Sequence, residues 1–279
     1  MGCEGCELWN HKTGDRTCYA GVLHRRYGGK TKGFSPTFDE VTLWPGRMAE
    51  ATKWSDLKWT DRKDKPWLNG LARLIFVSDM SDALSSVIPL EYLEEQVIRT
   101  ASSPAGLRHH WLWLTKRPER MAQLSDLLRV KGERWPANLW AGTSITSQGT
   151  IGRINSLLKV GDDETFRFLS VEPQRERIDF GDRLSALDWV IQGGESGAGA
   201  TPFELEWASD LIDQCKRADT AYFLKQLGSV VHEDGLRKKF ADGHAGDWSE
   251  WPMRLRVREL RYCPSFALLN LVLAIVQPL

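Results

Sequence analysis

The chain has 279 residues, 42% of them hydrophobic, and its 37 basic side chains are matched by 37 acidic ones. That length buries a full core as one large domain, and α/β barrels reach this size undivided. The balanced charge excludes a global field that would draw the protein to nucleic acid or an anionic membrane, so any such binding must be local.

The first elements in chain order are cysteines. Cys3, Cys6 and Cys18 fall within eighteen residues, and only Cys215 and Cys263 follow. The N-terminus lacks the charged start and apolar run of a signal peptide, which places the chain in the cytoplasm. In that compartment clustered thiols with a CxxC spacing read as metal ligands rather than disulfide partners. Zinc would take Cys3, Cys6 and Cys18 plus a fourth ligand, His11 or His24. A four-iron cluster would take the three cysteines alone and leave one iron open. The chemistry divides evenly between these two metals, and a set of free structural thiols is the third reading.

Beyond the cysteines, short apolar runs alternate with helical patterns, the rhythm of βα units around a parallel sheet. Strands are predicted at Glu40–Leu43, Arg73–Val77, His110–Leu114, Asn138–Gly142, Phe166–Ser170, Trp189–Gln192 and Ala221–Leu224. Helices are predicted at Leu90–Thr100, at Pro118–Leu128, where Pro118 suits a first turn, and at Phe203–Arg217. The fold expected is a complete or partial (β/α) TIM-like barrel of parallel strands, seven of them visible. No strand precedes Cys3. One barrel domain over residues 1–258 is expected, then a tail over 259–279. Its Phe266–Val276 stretch is apolar but too short for an ordinary membrane span, so no membrane is expected.

Polar residues follow nearly every strand: Ser78 to Asp82, Thr115-Lys116-Arg117, Thr143-Ser144, Glu172-Pro173, Gly193-Gly194-Glu195-Ser196 and Lys225-Gln226. In a parallel barrel they meet at the carboxyl end, where active sites lie. Asp79, Asp82 and Ser144 also suit helix N-caps. Lys116, Arg117 and Arg120 at a helix start oppose the macrodipole, which favours an anion contact, with Lys116 the stronger candidate. Glu195 suits an amino group or a ribose hydroxyl, and Lys225 at the end of an apolar strand asks for a partner. Lys116, Glu172 and Lys225 are therefore the candidate catalytic residues. Arg25, Arg26, Lys30, Lys32, Lys116 and Arg117 form the local basic set for a nucleotide or nucleic-acid substrate.

Gly2-Cys3-Glu4-Gly5-Cys6-Glu7-Leu8-Trp9, Cys18-Tyr19-Ala20, Leu114 to Met121, Ser170-Val171-Glu172-Pro173, Gly193 to Gly197 and Phe223 to Gln226 together resemble a phage and prophage three-Cys-motif protein family. Its cysteine motif is similar to that of radical S-adenosylmethionine enzymes, and some members are encoded beside a three-Cys-motif partner protein. The resemblance covers Gly2 to Arg258. It implies a [4Fe-4S] cluster on Cys3, Cys6 and Cys18 that chelates S-adenosylmethionine, with release of a 5′-deoxyadenosyl radical. It further implies a cofactor site in which Tyr19 packs beside the adenine and Glu195, among Gly193, Gly194 and Ser196, meets the methionine amine. The alternatives are a zinc-stabilised barrel acting as a hydrolase and a non-catalytic, partner-binding phage component.

Overall fold

The computed structural model describes residues 2–31, 33–197 and 199–261. Six parallel strands in the order β1-β2-β3-β4-β5-β7 form a curled half-barrel: β1 Arg73–Val77, β2 His109–Thr115, β3 Leu139–Ser144, β4 Arg167–Val171, β5 Trp189–Gly193 and β7 Ala221–Gln226. The two-residue β6, Phe203–Glu204, lies in a second small sheet with β8, Val231–Glu233, and β9, Leu236–Lys238.

Around the half-barrel run α1 Tyr19–Tyr27, α2 Arg47–Ala51, α3 Leu90–Leu93, α4 Arg99–Ser102, α5 Pro118–Val130, α6 Arg153–Leu157 and α7 Leu205–Ala218. A π turn at Glu94–Ile98 joins α3 to α4 into one continuous helix. Pro118 opens α5 as its first helical residue, where its missing N–H costs nothing. Leu205, Ala208, Leu211, Ile212 and Cys215 form the buried stripe of α7, at the spacing of a one-sided helix.

Side-chain alternation along the strands separates two cores. Ile75, Val77, Trp111, Trp113, Leu139, Leu169, Val190 and Leu224 face outward into the main core beneath the helices. Leu74, Leu112, Trp140, Phe166, Phe168, Trp189, Ile191 and Phe223 face the concave side and pack on one another. The foot of that side is an aromatic floor. Trp140 stacks on Phe166 at 4.1 Å between ring centroids and on His110 at 5.0 Å. Burial foremost, with the charge of Lys58 second, lowers the His110 imidazole to about 4.

The sheet has two different edges. Along β7, residues 257–259 run antiparallel: the Leu224 N–H donates to the Val257 carbonyl at 3.0 Å and the Glu259 N–H to the Tyr222 carbonyl at 2.8 Å. Along β1, no strand pairs with the outer edge among the described residues.

The structure corrects the reading in three places. Glu40–Leu43 is not a strand but irregular chain, so six strands and not seven make the half-barrel. The predicted helix at Phe203–Arg217 gives its first two residues to β6, because Phe203 pairs with Val231. The β8–β9 hairpin around Asp234-Gly235 went unread, its strands being only three residues each. The tail over Phe266–Val276 lies outside the described residues. No helix among those described is long and apolar enough to cross a membrane.

Candidate functional site at the carboxyl rim

Strand alternation puts Lys116, just past β2, Ser144, at the end of β3, Glu172, just past β4, and Lys225, near the end of β7, on the concave side at the carboxyl end of the sheet. Lys116, Glu172 and Lys225 therefore share one rim. The Lys225 ammonium donates to both Glu172 oxygens, at 2.9 and 3.1 Å, and is half exposed, so it is a paired surface lysine and not a buried one. Lys116 has no ion pair among the described residues, and its charge acts on Cys6 and Glu7. Its backbone N–H bonds Asp82.

The N-terminal loop is held onto this rim by three arginines. Arg117, directly after β2, donates to Asp82 Oδ2 at 2.9 Å and to the Gly5 carbonyl at 2.7 Å, and its Nε lies 2.7 Å from Glu4. Its guanidinium also donates toward the Cys3 sulfur. Arg153 of α6 grips both oxygens of Glu7, at 3.0 and 2.9 Å, with Thr146 as a further donor at 3.2 Å. Burial alone would raise the Glu7 carboxyl, but the Arg153 hydrogen bonds and charge, with Lys116 behind them, lower it to about 2. Arg175 ties Asp15 at 3.3 Å and Thr17 at 2.6 Å to Glu195 at 3.3 Å.

Within the loop, Cys3 packs with Trp9, Ala20 and Phe38, and Cys18 and Met80 lie against that cluster. Burial raises the Cys3 thiol even though the Gly5 N–H and Arg117 oppose it, and burial raises Cys6 against the pull of Lys116 and the Leu8 N–H, 3.4 Å from its sulfur. No group of three His, Cys, Asp or Glu side chains among the described residues forms a ready ligand set. The N–H donors and cations beside Cys3 and Cys6 would offset part of the charge of metal-bound thiolates, but burial outweighs them in the thiols as they stand. Cys215 differs, since burial pushes its thiol to about 12 inside the main core.

Neither candidate zinc histidine stands free. His24 is buried with Nε2 on Ser35, at 2.8 Å from the carbonyl and 2.9 Å from the hydroxyl. His11 pairs with Asp39 at 3.1 Å and meets Arg16.

Of the cofactor candidates, Tyr19 donates its hydroxyl to the Asp79 carbonyl while much of its side chain stays exposed. Glu195 is buried, and its carboxylate takes Arg175 and the Thr201 N–H at 3.0 Å. Ser196 accepts from Gln226 at 2.7 Å. Gly193 leaves room for the Glu172 side chain after β4, and a Cβ on Gly194 would run into the Leu227 carbonyl, so Gly194 lets the ends of β5 and β7 close together.

Asp82, read as a possible cap, is instead a buried acceptor for Thr115, at 2.8 and 3.0 Å, for two backbone N–H groups and for Arg117. Arg25 is exposed, with its guanidinium stacked 4.7 Å from the Trp9 ring centroid. Arg26 and Lys30 are exposed, and Lys32 lies outside the described residues. Sequence reading missed Glu4, Glu7, Arg153 and Arg175. The signal available was the acidic residue after each CxxC cysteine, which called for cations elsewhere on the rim.

A family profile described as "Protein of unknown function (DUF5131)" matches residues 2–253, a span that takes in the cysteine loop, all six strands of the half-barrel and the rim. The chain belongs to this family. Neither a curated protein nor a solved structure matches it.

Proposed function

We propose that the chain is a phage-related iron-sulfur enzyme of radical S-adenosylmethionine type, with Cys3, Cys6 and Cys18 as ligands of a [4Fe-4S] cluster and a nucleotide or nucleic acid as substrate class. The observation that carries this reading is the seating of the cysteine loop on the carboxyl rim by Arg117, Arg153 and Arg175. A cluster bound there would supply one-electron reduction of the sulfonium.

The chain's own residues do the rest. Arg117 and the Gly5 N–H donate toward the Cys3 sulfur and the Leu8 N–H toward Cys6, so thiolate charge is offset as protons leave. Lys116 adds a positive charge facing the loop, unpaired among the described residues and suited to a carboxylate or phosphate. The Glu172–Lys225 pair offers an acceptor and a donor on the same rim for a substrate above the concave face. The aromatic floor shuts water out from below. The free thiols of Cys3, Cys6, Cys18 and Cys215 suit a reducing cytoplasm, and the exposed Arg26 and Lys30 suit a polyanion. A three-Cys-motif partner protein is the proposed partner.

Anaerobic reconstitution with iron and sulfide should load about four irons per chain, and Cys3→Ser, Cys6→Ser and Cys18→Ser should each abolish loading. Electron paramagnetic resonance of the reduced protein should change on addition of S-adenosylmethionine. A protein that holds no cluster, native or reconstituted, sinks the reading. Binding of single-stranded DNA or RNA that does not weaken with salt would remove the nucleic-acid part.

A further inference from the structure

The outer edge of β1, unpaired among the described residues, runs beside a cavity of about 710 Å³. Its wall includes every residue from Ile75 to Ala83, so it runs along the β1 edge, and it reaches beneath the convex face to Ile88, Leu93, Val97 and Trp111. Phe76, from the concave row, and Ile75 and Val77, from the convex row, all open into it. Large apolar side chains left exposed in the fold gather here: Tyr27 at 40%, Trp44 at 39%, Trp54 at 51% and Phe76 at 46% of their full exposure. A contiguous apolar patch of this kind marks an interaction site, and an unpaired strand edge is a template for another strand.

Two further observations set the occupant's direction and charge. Gly2 makes a parallel bridge with Ser81, just past the end of β1, so a strand laid parallel along β1 leads directly into a pairing already present. Arg47 stands on the cavity wall with no carboxylate partner among the described residues.

We propose that the β1 edge is a strand-acceptor groove that takes an extended segment of a partner protein, parallel to β1, with alternate apolar side chains and an acidic end for Arg47. Main-chain N–H and C=O groups supply the affinity, and the pockets on either side of β1 select alternate side chains. At about 3.3 Å per residue, a five-residue segment matches β1 along its length.

The probe is the peptide Glu-Val-Thr-Val-Thr-Val-Glu, labelled for fluorescence anisotropy, with hydrogen exchange of the full chain followed by mass spectrometry. Bound peptide should slow exchange of the amides at 75–78 by about tenfold or more. Methylating alternate peptide nitrogens, which keeps the side chains and deletes the donors, should weaken binding by about tenfold or more, and Arg47→Glu should weaken it several-fold. The same segment fused ahead of Gly2, at an effective concentration in the millimolar range, should fill the groove and block the free peptide. Equal binding of the methylated peptide, protection at 221–226 instead of 75–78, or no protection by either free or fused segment overturns the proposal.

Discussion

The floor and the rim of the half-barrel are built on the same six strands yet hold together by different physics. At the floor, Trp140, Phe166, Trp189 and His110 exclude water by stacking. At the rim, Arg117, Arg153 and Arg175 hold the cysteine loop through charge-assisted hydrogen bonds. The floor is held chiefly by burial of aromatic surface. The rim trades that security for charges poised around thiols, which is where chemistry is possible.

That contrast breaks first at Trp140, fully buried within the stack. Trp140→Ala should cost about 3–5 kcal/mol in denaturant unfolding through the cavity it leaves, while metal loading per folded chain stays unchanged. Arg117→Ala should cost about 3 kcal/mol, near the lower end for a broken buried pair because Arg117 keeps some exposure, and should also lower metal loading. Loading that survives Arg117→Ala would mean the rim arginine only props the loop.

Acid should separate the two regions by pH. Folding lowers His110 to about 4 from its ordinary 6.5, so the unfolded chain binds the extra proton and stability falls as pH drops from about 6.5 toward 4. Glu7 is lowered to about 2 from 4.5, so its contribution is complete above about 4.5 and is lost as pH falls toward 2. With partial exposure discounted, the Glu7 limb is worth about 2 kcal/mol. It should vanish in Glu7→Gln, and the His110 limb should vanish in His110→Phe, each followed by urea unfolding across pH. The smallest effect is at Lys225: Lys225→Ala should change stability by less than about 1 kcal/mol, because its pair with Glu172 is half exposed.

The repeating strand and helix pattern was legible in the sequence because each strand is a short apolar run, the inner ones buried on both faces, and each long helix carries its own stripe. The rim was legible too, since Lys116, Glu172 and Lys225 each follow an apolar run directly. What sequence could not show was pairing across distance. Nothing local to Glu7 points to Arg153, and nothing local to Asp82 says that its carboxylate is spent on Thr115 and Arg117 rather than on a helix cap. Glu40–Leu43 reads as a strand because Val41 and Leu43 alternate as strand residues do, whereas the structure leaves it irregular, with Val41, Thr42 and Leu43 on the wall of the β1 cavity.

The three arginine anchors also impose an order of events on synthesis. Glu4, Glu7 and Asp15 leave the ribosome before their partners Arg117, Arg153 and Arg175, which follow more than a hundred residues later. At about 5–20 residues per second, the cysteine loop waits several seconds before its first anchor arrives and longer before its last. During that interval Cys3, Cys6 and Cys18 are unburied thiols on a nascent chain. Their seating on the rim is therefore complete only after β4 has been made, once more than half of the chain is synthesised.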